Sequence, residues 1–175
     1  MSRKRYPNIF RMIREATIED IGALQQIYNE AILHTVATFD TEVKDEADRI
    51  QWFEEHRQSP YGILVDEQNG VVTGYASLSR YRERKAFDGT VELSVYIDEG
   101  FRGKGIGSRL MEETLRVAQE NPAIKTVVSL VTGENEHSIY LHRKFGFTYC
   151  GRFEKVGFKH GRWLDLNFYQ IIYNK

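Results

Sequence analysis

The segment from residue 90 to residue 121 constrains the fold most, because it passes from a strand through a glycine-rich turn into a helix. Residues 90–97 read Thr-Val-Glu-Leu-Ser-Val-Tyr-Ile, rich in the β-branched and aromatic residues that favour strands. Apolar side chains then recur at helical spacing from Leu110 to Ala118. A strand that leads into a helix in this way predicts a mixed α/β fold.

The turn itself, residues 102–107, reads Arg-Gly-Lys-Gly-Ile-Gly. Three glycines at alternate positions allow a tight turn and leave backbone N–H groups bare. The first turn of the following helix adds unpaired N–H groups and the positive end of the helix dipole. Because Arg102 and Lys104 add full positive charge, the segment predicts a cradle for a phosphate-bearing cofactor.

Two common phosphate-binding motifs do not fit this turn. A P-loop ends in Gly-Lys-Ser or Gly-Lys-Thr, whereas Gly107 is followed by Ser108 and Arg109. A dinucleotide fingerprint, Gly-x-Gly-x-x-Gly, would need its third glycine at the position of Ser108. The pattern that fits is Arg-x-x-Gly-x-Gly, formed by Arg102, Gly105 and Gly107. Taken alone, this motif leaves open a turn that merely starts a helix.

A second motif favours a cofactor site. Residues 135–147 read Asn-Glu-His-Ser-Ile-Tyr-Leu-His-Arg-Lys-Phe-Gly-Phe, one helix and one strand after the turn. In this order and spacing the two motifs resemble the acyl-CoA pyrophosphate loop and the later CoA-side helix of the GNAT superfamily of N-acetyltransferases. The resemblance covers about residues 12–173 and is closest to the phosphinothricin acetyltransferase-like branch. Further matching stretches lie at residues 35–39, 84–87, 90–97 and 161–165.

The predicted elements form one α/β domain, and 175 residues suit a single domain. One helix joins the fourth and fifth strands, which predicts a parallel pair with a right-handed crossover. The resemblance implies a single GNAT-like domain with a twisted, mostly antiparallel mixed sheet and about four flanking helices. Strands 4 and 5 are expected to splay apart around the pantetheine arm. We expect residues 1–11 to be an N-terminal extension and residues 12–175 to be the acetyltransferase domain.

Local signals place further elements. Residues 17–20 resemble a capping box at the start of a helix, and Asn69-Gly70 predicts a hairpin turn. The sixth strand is expected near residues 147–153, followed by a turn at 157–161 and a last half-buried strand.

Composition argues against several functions. The net charge is −1, whereas nucleic-acid-binding domains usually carry a basic surplus. No stretch approaches the roughly 20 apolar residues of a membrane span, and no apolar run follows the basic residues 3–5. Cys150 is the only cysteine, so neither an internal disulfide nor a cysteine-based zinc site can form. We expect a cytoplasmic protein that binds no nucleic acid, membrane or metal ion.

The resemblance implies acetyl-CoA as co-substrate. The glycine-rich turn would hold its pyrophosphate, the end of the fourth strand its pantetheine arm, and the later helix a further contact. Asn135 stands where it can also cap that helix. For the residues of the fourth strand, the alternative to binding the cofactor is a position in the core. The expected cofactor-binding residues are Val95, Tyr96, Ile97, Arg102, Gly103, Lys104, Gly105, Ile106, Gly107, Ser108 and Asn135.

Glu92 is the candidate general base. Alkyl amines are mostly protonated at neutral pH, so a base has to accept a proton before the amine attacks a thioester. Glu92 lies just before the cofactor segment and matches the acidic position of the phosphinothricin-like branch. Strand alternation puts Glu92, Ser94 and Tyr96 on one face, which either points outward or lines a substrate cleft. We favour the cleft.

His142 occupies the position where many family members have a tyrosine, so the resemblance suggests that it donates a proton or hydrogen bond to the departing thiolate. A surface histidine is the alternative, since a CoA thiolate can leave with only modest help. Tyr140 lies two positions earlier, on a different side of the helix, and is no simple substitute.

Residues 80–85 carry four cations just before the fourth strand. Such a loop either binds an anionic substrate group or is simply solvated. Arg84 matches the Arg-x-Ala-aromatic pattern of the branch, and Arg82 lies beside it. Phe39 and Tyr75 form an apolar wall or belong to the core. The resemblance implies a small amino-acid-like amine, such as phosphinothricin or the sulfoximine or sulfone of methionine.

Two other functions stay open. A protein N-terminal or lysine acetyltransferase would need an open peptide groove, and a non-catalytic acyl-CoA-binding domain would not need Glu92. Residues 158–165 resemble the C-terminal hairpin of the branch, which in relatives lies near the acceptor site and a dimer interface. His160 and Trp163 are therefore candidates for positions near the substrate, and the resemblance implies a homodimer.

Overall fold

The computed structural model describes residues 10–175, which form seven strands and four helices. The strands are β1 (Arg11–Glu15), β2 (Gly62–Gln68), β3 (Val71–Arg80), β4 (Thr90–Ile97), β5 (Thr126–Thr132), β6 (Thr148–Lys159) and β7 (Arg162–Ile172). The helices are α1 (Ile21–His34), α2 (Glu46–His56), α3 (Ile106–Glu120) and α4 (Glu136–Lys144). Most of the predicted extension 1–11 lies outside the described residues, and Arg11 already pairs with Gln68 in the sheet.

The strands form one mixed sheet in the order β1-β2-β3-β4-β5-β7-β6. Among the described strands only β4 and β5 run parallel, and they pair only from Thr90 to Glu92. The rest of β4, to Ile97, stays beside β3 but no longer beside β5. The predicted splayed parallel pair in a mostly antiparallel sheet is therefore confirmed.

Apolar clusters cover both faces of the sheet. Val91 and Leu93 of β4 pack with residues of α3 and α4, whereas Tyr96 packs in a cluster built on α1 and α2. Because alternate residues of a strand point to opposite faces, Glu92 shares the face of Tyr96. Helices cover that face around Tyr96, and Glu92 is half-buried on it.

Local signals are borne out at the element ends. The Thr17 N–H donates to Asp20 Oδ2 at 2.7 Å in a capping box, which begins a short 3-10 turn leading into α1. Asn69 and Gly70 have φ of 50° and 81° and join β2 to β3 as the predicted hairpin turn.

The β6–β7 hairpin is longer than predicted. The sequence predicts that β6 ends near residue 153, but the strand continues to Lys159 with two irregularities in its register. At the second of these, Lys155 has a φ of 51° and its N–H donates to Asp165 Oδ1 at 2.8 Å. The turn contains only His160 and Gly161, both with positive φ, which is the geometry of a two-residue hairpin.

Candidate active site

The turn between β4 and α3 has the backbone that its glycines predict. Gly103 and Gly105 have φ of 73° and 75°, in the left-handed region that other residues rarely adopt. Gly105 is the N-cap of α3, and none of the side chains in residues 10–175 caps this helix. The N–H groups of Ile106, Gly107 and Ser108 therefore have no partner within the helix and stay available to an anion.

Two cations flank these N–H groups. Arg102 Nε donates to Ile97 O at 3.4 Å, and Lys104 Nζ donates to Gly100 O at 3.0 Å. Neither side chain has an ion-pair partner within the described part of the chain. Arg109, by contrast, is held by the buried Asp66 at 2.8 Å. The charges of Arg102 and Lys104 are thus available to a pyrophosphate.

A cleft of about 960 Å³ extends from this turn into the split of the sheet. Its walls are the end of β4, the start of α3, the start of α4, and residues 31–37 at the end of α1. A cleft of this size suits a nucleotide-bearing cofactor. The predicted cofactor residues that line it are Val95, Tyr96, Ile97, Arg102, Gly103, Gly105, Ile106, Gly107, Ser108 and Asn135. Lys104 is exposed and lies outside this lining.

The split begins at a contact between β4 and β5. Ser129 Oγ of β5 lies 3.2 Å from Leu93 O, one residue beyond the last paired residue, Glu92. On another wall, Asn135 Oδ1 accepts from the Ser138 N–H at 3.1 Å and caps α4, as predicted. Capping holds Asn135 at the cleft and fixes the start of α4 there.

Glu92 stands three residues before Val95, where the lining contributed by β4 begins. Its side chain is half-buried, and burial raises the pKa of the carboxyl above its ordinary value. The guanidinium of Arg82 acts in the opposite direction by favouring the carboxylate. A carboxyl with a raised pKa is a better proton acceptor for an ammonium group than an exposed one.

A polar network continues along the face of Glu92. The rings of Tyr96 and Tyr28 meet edge to face with centroids 5.1 Å apart. Tyr28 OH donates to Asp40 Oδ2 at 2.8 Å and lies 3.1 Å from Thr38 Oγ1. Burial raises the pKa of Tyr96 to about 12, so its hydroxyl stays protonated at neutral pH. Sequence reasoning missed Tyr28, Thr38 and Asp40 because only the packing of α1 brings them to β4.

The predicted substrate residues fall into different environments. Arg82 and Arg84 are exposed in the loop after β3, and Arg82 is close enough to affect the pKa of Glu92. Phe39 is half-buried, and its ring fills the space above Gly157, where an added Cβ would lie only 2.7 Å from Phe39 Cε2.

Tyr75 belongs to the core. It is 1% exposed and packs against Trp52 and Tyr96, with ring centroids 5.8 and 5.5 Å away. Of the two alternatives, apolar wall or core, the structure therefore places Tyr75 in the core, where it presents almost no surface to a ligand.

His142 is also buried, with 3% exposure, and is not part of the cleft lining. Its Nδ1 lies 2.6 Å from Ser138 O, which can only accept, so Nδ1 carries a hydrogen. Its Nε2 lies 2.6 Å from Ser129 Oγ. Burial lowers the pKa of His142, which favours the neutral ring. The surface alternative is wrong, and both ring nitrogens are engaged by the protein.

Other lining residues were not predicted as site residues. Thr35, Val36 and Ala37, which fall in a stretch matching the family, line the cleft together with Glu134 and Arg162. The last two form an ion pair at 2.7 Å that sequence spacing does not reveal. Of the two hairpin candidates, His160 lines the cleft with its Nε2 3.1 Å from Thr35 O. Trp163 is 59% exposed and lies outside the lining.

The splayed sheet, the glycine-rich turn and the cleft between them define an acetyltransferase site. The chain belongs to the Acetyltransferase (GNAT) family, whose sequence profile matches residues 24–147.

Several relatives with named activities align with most of this chain. The L-methionine sulfoximine/L-methionine sulfone acetyltransferase of Salmonella typhimurium is 41% identical over 163 residues, which cover 91% of this chain and 92% of the relative. The structure of Salmonella typhimurium yncA with its cofactor acetyl-CoA has a TM-score of 0.90 and 39% identity, covering 94% of this chain and 95% of that one. A Sinorhizobium meliloti phosphinothricin acetyltransferase in complex with acetyl-CoA has a TM-score of 0.87 and 34% identity, covering 94% and 89%.

The sequence predicts neither a membrane span nor a metal site. No helix within residues 10–175 is long and apolar enough to cross a bilayer. The same residues contain no group of three or more histidine, cysteine, aspartate or glutamate side chains that could hold a metal ion.

Proposed function

We propose that this protein transfers the acetyl group of acetyl-CoA to the amino group of a small amino-acid-like substrate, of the methionine sulfoximine, methionine sulfone or phosphinothricin type. One observation carries the proposal. The split of the sheet begins next to Glu92 and opens along β4 towards the glycine-rich turn, so a donor site and a half-buried carboxyl share one strand. The names of two relatives support the substrate class.

The donor site suits acetyl-CoA. Bare N–H groups at the start of α3, together with Arg102 and Lys104, would hold the pyrophosphate. Residues 95–97 no longer pair with β5, and their backbone groups would hold the pantetheine arm and the acetyl oxygen. Backbone donors suit this task because they are fixed before charge develops. Asn135 would add a contact from α4. Acetyl-CoA, when bound, supplies the acetyl group as a reactive thioester.

Glu92 accepts the proton of the substrate ammonium, directly or through one water, so that the neutral amine attacks in a ternary complex. Burial gives the carboxyl a higher proton affinity, and Arg82 keeps part of it ionised. We assign His142 a structural part, because its ring nitrogens are already bonded to Ser138 and Ser129. The C–S bond then breaks without a dedicated acid, and the departing CoA thiolate takes up the second proton that the amide nitrogen releases.

The acceptor side uses charge and shape. Arg82 and Arg84 would bind the carboxylate, phosphinate or sulfoximine end of the substrate. Phe39 would form an apolar wall near the hairpin. Tyr75 contributes only from the core, by supporting the ring of Tyr96.

A homodimer and a cytoplasmic location complete the proposal. β6 is an edge strand, and its hairpin exposes Phe153, Phe158 and Trp163 by 59, 57 and 59%. Exposed apolar sheet edges are usually buried in an interface. The family resemblance favours a second copy of this chain as the partner in that interface. Cys150 has a free exposed thiol, which suits a reducing compartment.

Light scattering after size-exclusion chromatography tests the dimer, and cell fractionation tests the location. We expect a dimer for the wild type and a folded monomer for the double variant Phe158→Ser, Trp163→Ser. A monomeric wild type at micromolar concentration would contradict the dimer.

A substrate screen tests the reaction. Release of CoA thiol is followed with methionine sulfone, methionine sulfoximine, phosphinothricin, ordinary amino acids and short peptides. We expect turnover with the first three and little with peptides. Turnover with peptides alone would identify a protein acetyltransferase. Intact acetyl-CoA binding without turnover on any amine would favour a binding domain.

A further inference from the structure

A chain of polar groups links α2 to the strand position opposite Glu92. His56, at the end of α2, is 7% exposed. Its Nδ1 lies 2.6 Å from Trp52 O, and its Nε2 lies 2.7 Å from Ser79 Oγ of β3. Ser79 is the direct cross-strand partner of Glu92. Directly opposite residues of an antiparallel pair point to the same face with Cβ atoms about 4.5–5.5 Å apart, so the chain ends at the strand position beside Glu92. None of the hydrogen bonds within residues 10–175 joins Ser79 to Glu92 directly.

The chemistry of the partners fixes where the hydrogens lie. A carbonyl oxygen can only accept, so His56 Nδ1 carries a hydrogen and donates it to Trp52 O. In the neutral ring Nε2 is then bare and accepts the single hydroxyl hydrogen of Ser79. Ser79 Oγ is left with lone pairs only for its other neighbours. A hydroxyl that offers only lone pairs favours a protonated carboxyl over a carboxylate.

Building on the proposed role of Glu92 as general base, we propose that His56 and Ser79 are positioning residues: the Ser79 lone pairs accept a hydrogen bond from the Glu92 carboxyl once it is protonated, and so make Glu92 a stronger base. Protonation of His56 would reverse the effect. Nε2–H would then donate to Ser79 Oγ, which frees the hydroxyl hydrogen to stabilise the Glu92 carboxylate.

Other charged and titratable groups face the two ends of the chain. At Glu92, Arg82 favours the carboxylate, and the hydroxyl of Tyr96 lies on the same face. At His56, burial is the largest cause and lowers the pKa of the ring; the hydrogen bond to Trp52 O and the charge of Glu55 raise it, and Arg49 lowers it. The ring is therefore neutral at pH 7, the state in which Ser79 donates to it.

Solvent reaches this chain from a second cavity. His56 lines a cavity of about 440 Å³ between the end of α2, the start of β2 and α3, and the charged residues Glu15 and Arg57 line it too. Water in such a cavity would let His56 gain or lose a proton despite its burial.

Titration of the Glu92 carboxyl carbon by NMR tests the proposal without any substrate, with ¹³C-labelled protein and assignment by Glu92→Gln. In Ser79→Ala we expect the Glu92 midpoint to fall by about 0.5 to 1 pH unit, the size of one hydrogen bond. His56→Phe should lower it at least as far, because the Ser79 hydroxyl is released to donate. The matched control is Ser77→Ala, two residues away on the same strand and opposite Ser94, which should leave the midpoint unchanged.

Kinetics give a second readout. The acidic limb of kcat/KM against pH should move with the NMR midpoint, while KM for acetyl-CoA stays at its wild-type value. An unmoved or raised Glu92 midpoint in Ser79→Ala overturns the proposal, even where Glu92→Gln abolishes turnover. Full activity of Glu92→Gln would instead refute the role of Glu92 as base, whatever the titration shows.

Discussion

The two faces of β4 carry the same local arrangement with different neighbours. On each face a buried histidine in the last turn of a helix places Nδ1 2.6 Å from the carbonyl oxygen four residues earlier and Nε2 near a strand serine. On the α3–α4 face the serine of the His142 pair lies near Leu93 O. On the α1–α2 face the serine of the His56 pair stands opposite Glu92. A backbone carbonyl does not titrate and a carboxyl does, so the group beyond the serine decides what a buried histidine can influence.

The largest effect is expected on the α1–α2 face. Glu92→Gln keeps the size of the side chain but removes the base, so kcat should fall by about 10²- to 10⁴-fold. Binding of acetyl-CoA, measured by calorimetry, should be unchanged, since the donor site lies along the rest of β4 and at α3. Wild-type turnover in this variant would show that Glu92 is not the base and that the α1–α2 face has no special part in catalysis.

The next effect is expected where β4 leads into α3. Gly105→Ala forces a side chain into a φ of 75°, which costs about 1–3 kcal/mol unless the turn rearranges. We expect the dissociation constant of acetyl-CoA to rise by roughly ten-fold or more, with kcat at saturation within a few-fold of wild type.

Gly22→Ala in α1 is the control for this change. Nothing lies within 4 Å of an added Cβ there, so it should bind acetyl-CoA normally and be slightly stabilised. Unchanged affinity in Gly105→Ala would show that the backbone of this turn does not hold the donor.

A moderate effect on stability is expected at His142. His142→Phe leaves the Ser138 carbonyl and the Ser129 hydroxyl without this partner. The free energy of unfolding, measured with urea at pH 7, should therefore be about 1–3 kcal/mol lower than that of the wild type. Burial lowers the pKa of His142 in the folded protein, so below about pH 6.5 the unfolded chain binds a proton that the folded protein does not.

The wild type therefore loses stability through this group as the pH falls below about 6.5, and His142→Phe loses less. The stability gap between the two proteins should narrow from pH 7 to about pH 5.5, as measured by urea unfolding at both values. Glu92, whose pKa is raised by burial, contributes in the opposite sense but equally in both proteins. A gap that widens in acid would mean that His142 is charged in the folded state.

The smallest effect is expected at Arg102. Arg102→Ala should raise KM for acetyl-CoA by about three- to ten-fold at low salt, and less at high salt, because it removes one charge-assisted contact. Arg116→Ala is the control, since Arg116 is an exposed arginine of α3 that is paired with Glu113 and Glu120. Equal effects of the two variants would point to net charge rather than a site.

Much of the donor side could be predicted because its signals are local. The glycines of the turn report their own backbone conformation, and a strand, one helix and a strand suffice to predict the parallel pair. The splay of that pair was implied by the family resemblance. The helix-capping role of Asn135 could be predicted because Asn135 directly precedes a helical pattern of apolar residues.

The acceptor side depends on packing that no local pattern reveals. His56 is flanked by Glu54, Glu55 and Arg57, which indicates an exposed helix end, yet its ring is buried against Ser79. The extent of β6 was mispredicted for a related reason. Its irregularity at Lys155 interrupts the strand alternation, and only the partner strand, which holds the Lys155 N–H through Asp165, keeps the two strands paired.

The position of β7 has a consequence for synthesis. It follows every other described strand in sequence, yet it lies inside the sheet, between β5 and β6. Until residues 162–172 have left the ribosome, β5 keeps an unpaired edge and the wall that Arg162 gives to the cleft is missing. Because strand pairing across long sequence separations is slow, the nascent chain exposes this edge for longer than an antiparallel meander would. This strand edge is the place where we expect a chaperone to be needed most.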